Sequence, residues 1–278
     1  MKPKLGETLL VHVALLLASA AVLYPVLWVV RMAFSEDAFA ASGRAFQASG
    51  RNFSAFFFAK DFYGRPLFFI QLGNSLLVAG ASTIFGVLTA TSAAYGFSRF
   101  AFPLRNAGLR AMLVSQMFPA VVTGVPLLFI LDNLGLFGST AGLVVVYSTT
   151  SVPFSIWMLK GYFDAIPRDL EESARLDGAS SFTIFRRIML PLVRSGIGIT
   201  ALFSFMTAYN EFIMAALFLD DAAEYTLPIT LQQQVGGFDP NWGVFAAGSI
   251  VLSIPIVLLF FYVQKQMTSG MMAGAVKG

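Results

Sequence analysis

Six long runs of this chain contain no Asp, Glu, Lys or Arg, and this feature constrains its fold more than any other. A helix needs about 20 apolar residues to cross the hydrocarbon core of a bilayer. Within lipid, the backbone satisfies its hydrogen bonds only as a helix or a closed barrel. The runs therefore predict an all-α polytopic membrane protein with six transmembrane helices. They cover residues 8–30, 66–98, 111–131, 133–159, 195–210 with an apolar continuation to 219, and 240–264.

The composition agrees with a lipid environment. Hydrophobic residues make up 57% of the 278 residues, and charged residues only 12%. A soluble fold would leave much of that apolar surface in water. The absence of cysteine excludes disulfides and thiolate metal sites. The single histidine, His12, has no second ligand near it in sequence, so we expect no metal site.

The first apolar run imitates a secretory signal peptide. Lys2 and Lys4 precede the stretch VHVALLLASAA, which ends in small residues like a cleavage site. Apolar residues nevertheless continue through 22–29, which is further than a typical cleaved segment extends. We therefore interpret this run as an uncleaved first span.

The distribution of Lys and Arg predicts the orientation of the spans, because cytoplasmic connections carry an excess of basic residues. With the amino terminus inside, thirteen of the 18 Lys and Arg residues fall in cytoplasmic segments and five in outer segments. Both termini are therefore expected in the cytoplasm. The same asymmetry explains the net charge of +3, so no nucleic acid partner is expected.

The predicted topology places residues 160–194 in the largest cytoplasmic loop. Asp164 and Pro167 are expected to open a short helix in this loop. Gly178 is expected to stop it, because glycine readily adopts the left-handed conformation that ends many helices. The sequence thus predicts a helix followed by a tight turn.

A second short helix is expected to follow that turn. Ser180 or Ser181 can cap it, and Pro191 is expected to begin the next span. The residue pattern alone leaves two interpretations open. The loop is either an amphipathic segment lying among headgroups or a docking element that fits a groove on a soluble partner.

The loop sequence EESARLDGASSFTIFRRIMLPL, residues 171–192, resembles the EAA loop of permease subunits in bacterial ABC importers. Ser173 departs from the usual alanine by a change between two small residues. The resemblance favours the docking interpretation. The positions that match the family pattern are Glu172, Ala174, Asp177, Gly178, Ala179, Leu190 and Pro191.

The resemblance extends over nearly the whole chain and is to the carbohydrate-importer branch, in particular to its smaller, G-type permeases of the maltose and maltodextrin kind. Six further segments carry it. They are NSLLVA at 74–79, AYGFSRF at 94–100, QMFPAV at 116–121, LKGYF at 159–163, NEF at 210–212 and AGAVKG at 273–278.

The resemblance implies a permease subunit of an ATP-driven, binding-protein-dependent sugar importer with the type I ABC importer fold, in a bacterial inner membrane. Maltose or maltodextrin is the expected substrate. Import of trehalose, another oligosaccharide or glycerol phosphate stays open, because relatives that import these compounds share the same EAA loop. The implied partners are an F-type permease that forms a heterodimer with this chain, two copies of a cytoplasmic ATPase and a periplasmic sugar-binding protein. The chain lacks the pattern GxxxxGK[ST], so ATP and Mg are expected on the ATPase and no cofactor or catalytic activity here. The implied division is an amino-terminal segment of residues 1–65, a core permease domain of residues 66–266 with the EAA loop at 164–191, and a tail of residues 267–278.

The loop and the tail are expected to contact the ATPase. Glu172 is predicted to form an ion pair or a helix-capping contact with a basic residue of the ATPase. Gly178 is predicted to form the turn that lets the first loop helix enter the ATPase cleft, although a simple helix cap has the same requirement. In the tail, the residues expected to make a second contact are Gly274, Val276 and Lys277.

The outer connection between the last two spans combines amide, glycine and aromatic residues, which suit sugar rings and hydroxyl groups. A hydrated loop with an interfacial tryptophan has the same composition. The resemblance implies that this loop faces the binding protein. The residues given that role are Gln232, Gln233, Gln234, Gly236, Gly237 and Asn241.

Glu211 is an acidic residue set inside the fifth predicted span. A carboxylate at such depth is costly unless it faces a cavity or a partner, so Asn210 and Glu211 are predicted to line a cavity or a contact between subunits. Two alternatives stay open for Glu211. It either reaches to the lipid edge or relays protons, and the latter would make the protein a proton-coupled secondary transporter.

The third predicted span carries two prolines around a glycine. Pro119, Gly124 and Pro126 are predicted to form the hinge of a gate, because proline removes a helix hydrogen bond and bends the rod. A static kink is the alternative. A membrane enzyme is not expected, since the lone His12 offers no nucleophile–base pair.

Overall fold

A computed structural model describes residues 5–36, 47–61 and 63–275. The described residues are helical, with isolated β-bridges and no β-strand among them. The helices are α1 (Leu5–Ala33), α2 (Arg51–Phe57), α3 (Leu67–Arg99), α4 (Arg105–Ser115), α5 (Ala120–Asn133), α6 (Thr140–Asp164), α7 (Asp169–Leu176), α8 (Ser181–Ile184), a π-helix (Phe185–Met189), α9 (Leu190–Leu192), α10 (Arg194–Asn210), α11 (Ile213–Phe218), α12 (Leu227–Gln233) and α13 (Trp242–Ala275).

Four of these helices are long and apolar enough to cross a membrane. They are α1, α3, α6 and α13, and they correspond to the first, second, fourth and sixth apolar runs. A fifth candidate is the pair Ser181–Leu192 and Arg194–Asn210, whose two halves are bent by 73°. The described residues thus contain four or five candidate spans, and the predicted number of six is not confirmed.

The third apolar run accounts for the difference, because it is divided between two shorter helices. Helix α4 ends at Ser115, and α5 begins at Ala120 with Pro119 as its N-cap. Pro119 donates no backbone hydrogen bond and disfavours helical geometry at the residue before it. A break therefore replaces the continuous helix that the apolar run predicted.

The chain divides into two compact units. Residues 1–68 and 230–254 form the first, in which Ala33, Ala246 and Ala247 are buried. The amide of Asn52 donates to the carbonyls of Ala33 at 3.1 Å and Ser35 at 2.8 Å. The amide therefore donates hydrogen bonds to backbone carbonyls at the end of α1, where the helix itself provides no N–H donors.

Residues 69–229 and 255–278 form the second unit. In its core, α3, α6 and the elements after α7 pack through small and aromatic side chains. Helices approach closely in this core, since a Cβ on Gly196 would lie 2.5 Å from the ring of Tyr162. The buried residues of this core include Ala90, Ala94, Leu159, Phe163, Ile184 and Met189. The division into domains 1–65, 66–266 and 267–278 stays a prediction.

Helix α6 begins against a tight turn, and that turn gives a test of the packing. Ser139 caps α6 by accepting a hydrogen bond from Gly142 N at 3.1 Å. A Cβ on Gly142 would lie 2.3 Å from the backbone oxygen of Leu136, which has no freedom to rotate away. We expect Gly142→Ala to lower the free energy of unfolding by about 1–3 kcal/mol, the usual range for overpacking.

The measurement is the thermal denaturation midpoint of the detergent-purified chain. Gly80→Ala is the matched control, because a Cβ at this glycine of α3 meets nothing within 4 Å. An equal midpoint for both variants would contradict the packing described at the start of α6.

Candidate coupling site

Residues 164–191, here called the helical loop, form a helix, a turn and a second helical segment. Helix α7 ends at Leu176, and Gly178 follows with a φ of +83°. The amide of Gly178 donates to Arg175 O at 3.0 Å and that of Ala179 to Ala174 O at 2.9 Å. This is the left-handed helix ending that the glycine predicted.

The start of the loop differs from the expectation. Asp164 closes α6 instead of opening the next helix, and α7 begins at Asp169. Two contacts hold Asp164 in α6: Ser98 Oγ donates to its carboxylate at 2.6 Å and Lys160 Nζ at 2.5 Å. The prediction for Asp164 was wrong because its partners lie on α3 and one turn back on α6, and neither is evident from the local pattern.

Ser180 caps the second segment, since its Oγ accepts a hydrogen bond from Thr183 N at 3.2 Å. The chain then passes through α8, the π-helix and α9 before the 73° bend. Pro191 lies in α9, just before that bend. Leu190 and Pro191 therefore lie where the helical loop meets α10.

One side of the helical loop is exposed. The exposed residues include Glu172, Asp177 and Gly178, and the side chain of Leu176 is 90% exposed. Ala174 and Ala179 are half-buried against the core. Glu172 has no ion pair within the portion of the chain that the structure describes.

The side chain of the neighbouring acid, Glu171, is buried against α3 instead. It is 5% exposed and forms an ion pair with Arg99, the last residue of α3. Tyr95 Oη also donates to Glu171 at 3.1 Å, and Arg99 Nη2 donates to Ile166 O at 2.9 Å. This arrangement fixes α7 to the end of α3. Sequence reasoning assigned a role to Glu172 and none to Glu171, although an arginine directly after a long apolar run signals a need for a partner.

A small pocket of about 80 Å³ lies beside this ion pair, lined by Arg99, Arg168, Glu171, Glu172 and Arg175. Its three guanidinium groups exceed its two carboxylates, so it carries one net positive charge. Arg168 and Arg175 are exposed, and neither forms an ion pair in the described ranges. The pocket therefore offers guanidinium groups to a carboxylate of a partner, a geometry that arginine suits.

Glu211 lies at a break between α10 and α11. Its carboxylate accepts hydrogen bonds from the amides of Ile213 at 2.9 Å, Met214 at 3.0 Å and Ala215 at 3.3 Å. Tyr147 Oη of α6 donates to it at 2.6 Å. The carboxylate thus caps α11 and ties it to α6. Asn210 is exposed, and its amide donates to Met206 O of its own helix at 2.9 Å.

The predicted gate hinge falls on the break before α5. Pro119 caps α5 and Pro126 lies within it. A Cβ on Gly124 would lie 2.9 Å from side-chain atoms of Leu217 and Met214, so this glycine permits a close approach of α5 to α11. The structure brings Gly124 and the capped helix α11 together, and the gating role stays a prediction.

The six residues predicted to face a binding protein lie around one turn. Gln232 and Gln233 end α12 and are exposed, as are Gly236 and Gly237. Asn241 N donates to Gln234 O at 2.7 Å, which closes the turn. The sequence reasoning missed Phe238, a fully exposed aromatic ring at 112% relative accessibility within that turn.

The carboxy-terminal prediction falls only partly within the described residues. Gly274 lies in the last turn of α13, whereas Val276 and Lys277 lie outside the described residues. Among the described residues no group of three or more His, Cys, Asp and Glu side chains is placed to hold a metal ion.

The sequence of this chain matches a known family. Residues 82–271 match the family described as binding-protein-dependent transport system inner membrane component. The maltose/maltodextrin transport system permease protein MalG of Escherichia coli (strain K12) is 34% identical over 290 residues, covering 100% of this chain and 98% of that protein. The diacetylchitobiose uptake system permease protein DasC of Streptomyces coelicolor is 34% identical over 211 residues, 76% of each chain.

Two solved structures share the fold. A chain of a bacterial ABC transporter that imports the acidic polysaccharide alginate has a TM-score of 0.74 at 19% identity and covers 95% of this chain and 98% of its own. A chain of the MetNI methionine ABC transporter, in an inward-facing conformation, has a TM-score of 0.59 at 20% identity, with coverages of 72% and 94%. The predicted all-α ABC importer permease fold is confirmed by these likenesses.

Glu171 is buried and Glu172 is exposed, so their substitution should change the stability of the protein by different amounts. Glu171→Ala leaves Arg99 buried without its partner, and breaking a buried ion pair in this way costs about 3–5 kcal/mol. Glu172→Ala removes an exposed carboxylate and is expected to change stability by less than about 0.5 kcal/mol. The thermal midpoints of the two purified variants measure the difference. A larger loss for Glu172→Ala would contradict the assignment of Glu171 to the interior.

Proposed function

The chain belongs to the family of binding-protein-dependent transport system inner membrane components, and from that premise we propose that it is a permease subunit of an ATP-driven maltose or maltodextrin importer. The helical loop supports this function, because one face of α7 is fixed to α3 and the other face is exposed. Such a helix suits the transfer of movement from a soluble ATPase to membrane helices.

The work of transport is divided among several chains in this proposal. The permease has no GxxxxGK[ST] loop of its own, so a separate ATPase binds ATP and Mg. Two copies of this ATPase, an F-type permease and a periplasmic sugar-binding protein complete the transporter. Both termini of the chain face the cytoplasm of a bacterial cell, with the helical loop on the same side.

The helical loop docks on the ATPase through its exposed face. Glu172 pairs with a basic residue of the ATPase, and Arg168 and Arg175 bind its carboxylates at the small pocket. Gly178 provides the compact turn that enters the ATPase surface, with Asp177 and Ala179 beside it. Ala174, Leu190 and Pro191 face or adjoin the permease core and keep the loop in register with α10.

Two further contacts belong to the proposal. The turn with Gln232, Gln233, Gln234, Gly236, Gly237 and Asn241 faces the sugar-binding protein, and the exposed Phe238 adds an aromatic ring that suits a sugar face. The tail with Gly274, Val276 and Lys277 reaches the ATPase. Pro119, Gly124 and Pro126 form the hinge at which the pathway opens.

The substrate assignment follows the relatives that match the full length of the chain, which are maltose and maltodextrin permeases. Another oligosaccharide is the alternative, since a diacetylchitobiose permease is equally identical over a shorter stretch. Proton-coupled transport is less well supported, because the carboxylate of Glu211 is already engaged by three backbone amides and Tyr147.

The test of the proposed function is purification of the chain from membranes together with its partners. The expected result is a complex with an F-type permease and an ATPase, whose ATP hydrolysis rises when maltose-loaded binding protein is added. Stimulation by another loaded sugar alone would support the importer and overturn the maltose assignment. Purification of the chain by itself, with transport driven by a proton gradient, would overturn the proposal.

Charge reversal at Glu172 tests the docking face. Glu172→Arg is expected to lower sugar uptake at least about tenfold, because like charges then meet at the contact with the ATPase. The amount of protein in the membrane should not change, since Glu172 is exposed and has no partner among the described residues.

Asp132→Arg is the matched control, because Asp132 is an exposed acid near the end of α5 on the predicted outer side. Uptake by the control should equal that of the natural chain. Equal uptake by both variants would contradict docking through Glu172.

A further inference from the structure

Two sequence segments that the proposed function leaves without a role lie at opposite ends of one helix. NSLLVA begins at Asn74 near the start of α3, and AYGFSRF contains Arg99 at its end. We propose that α3 is a strut that fixes the helical loop to the outer segment 220–227, so that movement at one end is delivered to the other. This inference rests on the proposed function, because it states how docking of the ATPase reaches the outer side.

The inner end of the strut is held by charged groups. Arg99 and Glu171 form a buried ion pair, with side chains 5% and 6% exposed. Tyr95 donates to the same carboxylate at 3.1 Å. Ser98 adds a contact of 2.6 Å to Asp164, at the start of the helical loop. Three residues within five positions of α3 therefore hold both the start of the loop and α7.

The outer end is held by amide and hydroxyl groups. Asn74 Nδ2 donates to Ala223 O at 2.7 Å and to Tyr225 O at 3.1 Å. Gln71 Nε2 donates to Ala222 O at 3.0 Å, and Leu227 N donates to Ser75 Oγ at 2.8 Å. These side chains, on one stretch of α3, bind the irregular backbone before α12 and the first residue of α12.

These contacts are costly to separate. Irregular backbone that packs against the protein must find its hydrogen-bond partners there, since water no longer reaches it. Gln71 and Ser75 are 1% and 2% exposed, so water does not replace their bonds. Displacement of segment 220–227 relative to α3 would break the hydrogen bonds to three half-buried carbonyls and the buried bond between Leu227 N and Ser75 Oγ. The segment and α3 therefore move as one body.

The helix between the two ends has no break and no proline that would bend it. Helix α3 is continuous over 33 residues and contains no proline, whereas α1, α5, α6 and α13 each contain one. At 1.5 Å per residue, Asn74 and Arg99 lie about 37 Å apart, which exceeds the bilayer core of about 30 Å. A rod of this length carries displacement across the membrane without a joint.

The strut is tested in the complete transporter, reconstituted in lipid nanodiscs with its ATPase, partner permease and maltose-loaded binding protein. The readout is the stimulation of ATP hydrolysis by the binding protein, expressed relative to basal hydrolysis. Asn74→Ala is expected to reduce the maximal stimulation about tenfold, within the range of typical allosteric couplings. The concentration of binding protein at half-stimulation should stay the same, because the amide of Asn74 is engaged by Ala223 O and Tyr225 O within the chain.

Asn133→Ala is the matched control, because the amide of Asn133 is exposed and, among the described residues, bonds only to Phe129 O of its own helix at 2.8 Å. Normal stimulation is expected for this control. Tyr95→Phe provides a second variant at the inner end, since it removes one hydroxyl and keeps the ring that packs on Phe163 and Phe185. It should also lower the maximal stimulation.

The double variant Tyr95→Phe with Asn74→Ala distinguishes a strut from two local supports. If both ends act on one path, the maximal stimulation of the double variant equals that of the single variant with the lower stimulation. If the two ends act independently, the fold-losses of stimulation in the two single variants multiply in the double variant. Multiplied losses, or normal stimulation of Asn74→Ala, would overturn the strut while leaving the proposed function intact. Absence of stimulation in the natural transporter would overturn both.

Discussion

The buried ion pair between Arg99 and Glu171 is the contact on which the arrangement of the helical loop depends. Two charges removed from water are costly, and they are tolerated only when their remaining hydrogen-bonding groups are satisfied. Tyr95 and the carbonyl of Ile166 satisfy them here. Because one face of α7 is committed to this contact, its other face, with Glu172, remains available to a partner.

The same requirement for partners explains the other departures from simple spanning helices. Where α10 stops, the carboxylate of Glu211 accepts hydrogen bonds from the first backbone amides of α11. Where the chain leaves helical geometry between α11 and α12, Gln71, Asn74 and Ser75 of α3 supply hydrogen bonds to this stretch and to the first residue of α12. Broken helices in membrane proteins are tolerated where protein groups take over from the helix in this way. The breaks are thus supported by particular side chains, and those side chains connect helices that are distant in sequence.

The sequence predicted the features that depend on local composition, and it missed those that depend on the meeting of distant segments. Long apolar runs predicted α1, α3, α6 and α13, and the glycine at 178 predicted the left-handed turn after α7. Glu171 and Glu172 differ by about 100° around α7, and only Arg99 on another helix decides which of them faces the protein. Asp164 was expected to open a helix, but contacts from α3 and α6 place it at the end of α6. The run 111–131 was likewise expected to be one span, but the chain breaks within it.

The proposed contact between the exposed face of α7 and the ATPase can be detected by cysteine cross-linking, because the chain contains no cysteine of its own. A single cysteine replaces Leu176, which is 90% exposed at the end of α7, and carries a photoactivatable cross-linker in membranes that contain the whole transporter. We expect a covalent adduct with the ATPase from this position. We expect none from Leu134→Cys, at an exposed position after α5. An ATPase adduct from Leu134→Cys, or none from Leu176→Cys in a transporter that still hydrolyses ATP, would show that the ATPase does not dock on this face of α7.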